Sequence, residues 1–297
     1  MTEPAHPHEP HPHAPQPLDS TAQLLTRVTA QLGTRLTHLH LDGTDGPRRP
    51  MSTPHPPTLV AVAHGSRDPR APATVNALLD RVRELRPGLP VRLGHIELNT
   101  PLLDHTLADL PPGDAVLVPL LLSRGYHVKH DLPGAAASAP HLRVRVAAPL
   151  GPHPLLVEAL HDRLTEAGWH TARGTGVVLA AAGSRDPDSA ADTRRTARLL
   201  SERLGGVPVV PAYASAASPT VPEAVRALTA RGRHRIAVAS YFTAPGLFAT
   251  RSAATAPWIA AAPLGPHPAL ARLLLHRYDQ ALTTAAVPAD SPQLVSA

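Results

Sequence analysis

The chain repeats itself, and this repeat restricts its possible folds more than any other feature. AHGSRDP at Ala63–Pro69 returns as AAGSRDP at Ala181–Pro187, and PLGPHP at Pro149–Pro154 returns unchanged at Pro263–Pro268. Apolar runs and amphipathic stretches follow the same order between these anchors. Two copies of roughly 110 residues therefore occupy 58–168 and 174–285, a period too long for a solenoid and suited to a duplicated globular unit. The preceding stretch, 1–57, holds 11 of the 36 prolines and 7 of the 19 histidines. Such a composition cannot build a packed core, so a disordered tail and linker are expected there. Within it His6, His8, His11 and His13 form a tract suited to weak metal binding. A short helix over Ser20–Leu39 is predicted from Leu24, Leu25, Val28, Leu32 and Leu36, and Gly43–Pro57 reads as a linker.

Each copy alternates strand and helix patterns. In the first, Leu59–Ala63 is an apolar strand run, and Ala71–Leu85 places Val75, Leu78, Leu79 and Val82 on one helical face. Val91–Leu98 reads as a strand, Leu102–Leu110 as a helix, and Ala115–Leu122 as a strand buried on both faces. Leu142–Ala147 is a further strand, and Pro154–Ala167 a helix. The second copy follows the same order from Gly176 to Tyr278. The expected class is α/β: two tandem similar domains, each a parallel β-sheet flanked by helices, with a cleft between them.

Composition narrows the chemistry. The absence of cysteine excludes disulfides, thiolate catalysis, iron–sulfur clusters and thiolate zinc sites. Aromatics at 3% argue against base-stacking platforms, and no basic 5–8-residue cluster marks a nucleic-acid partner. No run of 18 apolar residues marks a membrane helix, and the N-terminus lacks the apolar core of a secretory signal, so a cytoplasmic location is expected. Of the 28 basic side chains only Lys129 is a lysine. An Ala-, Arg- and Pro-rich chain of this kind reflects GC-rich coding, which explains the net charge of +5 as well as a polyanionic substrate would.

In parallel α/β sheets ligands bind beyond the carboxyl ends of the strands. His64 ends the first strand, Glu97 the second, and His127 follows the third. Two imidazoles and a carboxylate suit iron, cobalt, nickel or zinc. In the second copy Ala182 stands for His64, Ser215 for Glu97 and Phe248 for His127, whereas GSRDP is kept. The turn persisted while the three candidate ligands disappeared together. Other histidines read as structural: His95 as a core or supporting residue, His130 as a loop or metal-delivery residue, and His153 and His267 as parts of the turn before the last helix. Asp131 is expected to cap the helix after the His127 loop.

The set formed by AHGSRDP, Glu97 followed by Pro101, and PLLLSRGYHVKHDLP (Pro119–Pro133) resembles the sirohydrochlorin/cobalt chelatase family, the CbiX-like, ATP-independent class II tetrapyrrole chelatases. The resemblance covers about 58–283. It implies insertion of a divalent metal, Fe2+ or Co2+, into a tetrapyrrole on the way to sirohaem or cobalamin, with no organic cofactor. It also implies that His64 and His127 hold the metal with Glu97 beside them, one site per chain, in a monomer that replaces the family's short homodimers. Sirohydrochlorin is a polycarboxylate, and arginine pairs with carboxylates through two bonds. Arg67, Arg124, Lys129, Arg185 and Arg251 are thus candidate substrate contacts, with Ser66, Gly125 and Tyr126 as further donors. Two other readings compete: a metal-binding or metal-delivery protein without catalysis, and a phosphate-ester enzyme using Gly65–Ser66 at a helix start.

Overall fold

The structure is a computed structural model that describes residues 56–283. The His-rich tract, the helix expected at Ser20–Leu39 and nearly all of the linker lie outside them. The first half runs β1 (Thr58–Ala63), α1 (Arg70–Leu85), β2 (Val91–His95), α2 (Leu103–Ala108), β3 (Gly113–Pro119), a π-helical turn (His127–Asp131), α3 (Leu132–Ala137), β4 (Leu142–Val146) and α4 (Pro154–Glu166). The second half runs β5 (Thr175–Ala181), α5 (Pro187–Arg203), β6 (Val209–Tyr213), α6 (Val221–Ala230), β7 (Arg235–Ser240), α7 (Leu247–Ala253), β8 (Ile259–Ala260) and α8 (Pro268–Leu282). The sheets have the orders β2-β1-β3-β4 and β6-β5-β7-β8, and their strand pairs are parallel. The α/β class with two similar parallel sheets is what the repeat implies.

The period-2 geometry of a strand explains how the halves are layered. Along β1, Leu59, Ala61 and Ala63 face one core cluster and Val60 and Val62 another. Along β5, Val177, Leu179 and Ala181 face the first cluster as well, and Val178 and Ala180 a third. The inner faces of both sheets therefore share one continuous core, filled by α1, α4, α5 and α8. The outer faces carry their own smaller cores under the remaining helices.

The last helix of each half is exchanged. Helix α4 packs on β7 and α5, whereas α8 packs on β3, β4 and α1. Fully buried Leu156, Leu160 and Leu164 of α4 and Leu270, Leu273 and Leu274 of α8 pay for this crossing, at about 1.5–3 kcal/mol for each leucine removed from water. Polar ties reinforce it: Arg86 at the end of α1 holds Asp279 of α8 with bonds of 2.6 and 2.8 Å, and Tyr278 Oη donates to Pro57 O at 2.7 Å.

Three local outcomes differ from the sequence expectation. Strand β2 stops at His95 because the chain turns at once, with Leu98 at φ 66°. Strand β3 stops at Pro119, short of Leu122, and its counterpart β7 stops at the matching Ser240. The His127 segment is a π-helical turn rather than a loop, and it runs directly into α3. Asp131 has helical angles and no capping bond, so it is not the cap its position suggested.

Candidate active site

Both halves use one device at the end of their first strand. Gly65 has φ +106°, and a Cβ there would lie 1.9 Å from Glu97 O; Gly183 has φ +93°, and its Cβ would lie 1.8 Å from Ser215 O. Only glycine permits this approach. In the first half the close approach joins two candidate residues, since Glu97 N donates to His64 O at 3.0 Å. Asn99 Oδ1 accepts from Ser66 N at 2.7 Å, and Ser66 Oγ accepts from Asp68 N at 3.1 Å. These turn amides are thus already bonded within the chain, which disfavours a phosphate cradle at Gly65–Ser66.

The side chains meet above this turn. His64 Nδ1 lies 3.6 Å from Glu97 Oε1, and the two side chains are 43% and 53% exposed. The His64 and His127 rings are perpendicular, with centroids 4.8 Å apart. His127 Nδ1 bonds Asp131 Oδ2 at 2.5 Å across the π-turn. Facing a carboxylate oxygen, Nδ1 is the donor, and in the neutral ring Nε2 then carries the lone pair that can meet a metal. Asp131 is the residue whose role the sequence reading missed; the available signal was its four-residue spacing from His127. The trio lies together without already surrounding one point. Among the described residues, no three His, Asp or Glu side chains form a ready-made metal cage. The arrangement offers two open imidazoles and a carboxylate, suited to an ion that must pass through.

The cationic candidates divide into two groups. Arg124 is held by Asp192, with Nε–Oδ2 at 3.0 Å, Nη2–Oδ1 at 2.7 Å and the Arg124 N–H donating to Oδ2 at 2.9 Å. Lys129 Nζ lies 2.7 Å from Asp186 Oδ2 and 2.9 Å from Asp188 Oδ2. These bonds raise the affinity of Arg124 and Lys129 for their protons and lower that of Asp186. Both cations are thus engaged by carboxylates of the second half, although their side chains remain 47% and 38% exposed. Arg67, Arg185 and Arg251 are exposed and have no carboxylate partner among the described residues. Asp68, next to Arg67 in the chain, pairs with Arg70 at 2.7 Å, and that bond holds its carboxyl down at about 2.

The remaining candidates are placed as follows. Ser66 Oγ donates to Pro245 O of the second half at 3.4 Å, and a Cβ on Gly125 would stand 3.7 Å from Ser184 Oγ. The site therefore sits where loops of the two halves meet. Tyr126 is 63% exposed, and its ring lies 4.7 Å from that of the exposed His130. His95 is buried and its Nδ1 bonds Pro101 O at 3.1 Å, a satisfied core histidine. His153 and His267 do serve the turn before the last helix: each caps one, with Nδ1 accepting from Leu155 N at 3.1 Å and Ala269 N at 3.2 Å.

Comparison with known proteins identifies the family and the fold. The family model CbiX matches twice, over residues 58–167 and 176–281. The sirohydrochlorin ferrochelatase of Bacillus subtilis (strain 168) is 30% identical over 175 residues, which cover 56% of this chain and 66% of the enzyme, just under two thirds of its length. The sirohydrochlorin cobaltochelatase of Priestia megaterium is 26% identical over 204 residues, covering 65% of this chain and 66% of that enzyme. Among solved structures, SirB from Bacillus subtilis with Fe3+ superposes with a TM-score of 0.62 at 23% identity, over 76% of this chain and 95% of that one, and so supports the fold. The chain belongs to the CbiX family and carries one copy of the family's unit in each half.

Proposed function

We propose that this chain is a sirohydrochlorin chelatase, inserting Fe2+, with Co2+ as the alternative metal, without ATP. The observation that carries this reading is the His64–His127 pair at the seam of the halves, with His127 oriented by Asp131 and Glu97 next to His64. The relatives act on sirohydrochlorin and divide between iron and cobalt by name, and imidazole with carboxylate accepts either.

In this mechanism the metal is a substrate. Neutral His64 and His127 present nitrogen lone pairs to the incoming ion, and Glu97 offsets its charge. Two pyrrole N–H protons must leave as the ion enters the ring. Glu97 accepts one, and an imidazole released by the departing metal accepts the other. The ion trades imidazole for pyrrole nitrogen, so weak, open ligation favours turnover. No nucleotide is consumed, and no GxxxxGK[ST] sequence is present to bind one. One chain supplies both walls of the site, so the active unit is a monomer.

The test is a direct assay. Purified protein is mixed with sirohydrochlorin and Fe2+ or Co2+ without ATP, and the macrocycle's absorption change is followed. Insertion by the wild type and its loss in His64→Ala/His127→Ala support the reading. Unchanged insertion by that double variant refutes it.

A further inference from the structure

The two halves face each other across a pseudo-twofold seam, and the contacts on its two sides are unequal. On one side Arg124 and Lys129 reach Asp186, Asp188 and Asp192 at the start of α5. On the other side the equivalents of Arg124 and Lys129 are Pro245 and Thr250, and those of Asp188 and Asp192 are Arg70 and Thr74. There the corresponding contact is one bond from Ser66 Oγ to Pro245 O, while Asp68 pairs within its own half. The charged side is the one next to His127.

We propose that this ionic clasp makes the second half a positioning platform for His127, with Asp192, Asp186 and Asp188 holding the π-turn in register over His64. The proposal rests on the reading that His127 handles the metal. Asp192 is buried at 4% exposure and binds both the guanidinium and the backbone N–H of Arg124, fixing the chain just before the turn. Asp186 caps α5 through Asp188 N at 2.9 Å, so its carboxylate is rigid where it meets Lys129. Lys129 lies inside the turn, and its N–H bonds Gly125 O at 3.1 Å. The turn is thus held from the second half before and within its length, and Asp131 holds the His127 ring from inside. Isolated exposed ion pairs contribute little, but a network anchored on a buried carboxylate has much less freedom to fluctuate. The second half has none of the three candidate ligands and supplies the carboxylates that position those of the first; Asp188 and Asp192 have no acidic counterpart in the first half, whereas Asp186 matches Asp68.

The experiment compares Lys129→Met, Arg124→Met and Asp192→Asn with Arg86→Met. Arg86 makes an equally close pair across the halves, to Asp279, and has no place in the proposed metal site. Co2+ affinity is read from the visible absorption of the bound ion, and kcat, KM and Tm are measured alongside. The clasp variants are expected to lose about tenfold in kcat or Co2+ affinity with little change in KM for sirohydrochlorin, whereas Arg86→Met changes Tm alone. Lys129→Arg, which keeps both ion pairs, restores most of the loss. Clasp variants that follow Arg86→Met, with lower Tm and unchanged kcat and Co2+ affinity, overturn the proposal. So does a rise confined to KM, which would make Arg124 and Lys129 substrate contacts. If the wild type bound Co2+ without inserting it, the chelatase reading would fail, and the Co2+ affinities would still decide the clasp.

Discussion

The two halves share a chain path and differ in the four side chains proposed to carry the chemistry. His64, Glu97, His127 and Asp131 in the first correspond to Ala182, Ser215, Phe248 and Ser252 in the second. Ser215 Oγ donates back to Ala182 O at 3.0 Å, where the first half has the Glu97–His64 pair. Ser252 is buried, and its hydroxyl has no hydrogen-bond partner among the described residues. Asp131 and the histidine it orients are thus both absent from the second half, whereas the strained glycines and the capping histidines occur in both. The shared features support the fold, and the unshared ones are those proposed to act in the reaction.

The largest effects should come from breaking this difference. His64→Ala or His127→Ala should reduce metal insertion by about 10²–10⁴-fold, with stability changed by no more than about 0.5 kcal/mol because both side chains are partly exposed. Conversely, Ala182→His, Ser215→Glu, Phe248→His and Ser252→Asp together should raise the Co2+ stoichiometry from one to two per chain, read by titration. A chain that still binds a single ion after all four changes would mean that backbone differences, not side chains, silenced the second half.

A smaller effect isolates Asp131. Asp131→Ala should cost about 10–100-fold in Co2+ affinity or insertion rate, the usual loss when a ligand's orienting partner is removed. Asp131→Asn, which still accepts the Nδ1 proton, should fall between. Ser252→Ala at the matching position should leave activity unaltered. Equal losses from Asp131→Asn and Asp131→Ala would assign the effect to charge instead of orientation.

The shared glycines sharpen the comparison further. Gly65→Ala and Gly183→Ala force the same backbone clash and should each destabilise by about 1–3 kcal/mol in denaturant melts. Only Gly65→Ala displaces Glu97 from His64, so only it should lower insertion by the folded enzyme. Matching activity losses in the two variants would show that the turn acts through global stability.

The parts legible in the sequence were those set by local pattern. Apolar runs of one strand length gave β1, β3 and β5, and the duplicated GSRDP and PLGPHP gave the repeat. The pairing of His64 with His127 was reachable because both follow strand ends in a parallel sheet. The helix exchange was not legible, since the apolar face of α4 or α8 does not state which sheet it covers. Nor were the partners of Arg124 and Lys129, because Asp186, Asp188 and Asp192 lie some sixty residues away across the seam. Asp131 was misplaced because a carboxylate before a prolyl helix start reads as a cap, and the continuous π-turn removes the helix end that would need one.

The smallest predicted effect concerns the caps, and it sets the halves against each other once more. His153 and His267 accept a helix N–H through Nδ1, so each must be neutral at that nitrogen. Burial lowers the pKa of His153 from 6.5 to about 4, helped by Arg277 and His276; His267 is also lowered, by burial and Arg163, against the opposing pull of Asp162, Glu166 and Glu158. Above the ordinary histidine value both folded and unfolded chains are neutral and the caps contribute in full. As pH falls below it the unfolded chain takes up protons first, so stability declines, and the His153 part of the decline ends near pH 4 where the folded residue also protonates. His153→Asn and His267→Asn keep a capping acceptor worth about 1 kcal/mol and remove the titration. The fall in Tm on acidification should therefore be shallower in both variants, and more so for His153→Asn, because the carboxylates around His267 already offset part of its burial. A wild-type slope retained by both variants would place the acid sensitivity outside the caps, and equal flattening would mean that Asp162 at 3.3 Å does not distinguish His267 from its counterpart.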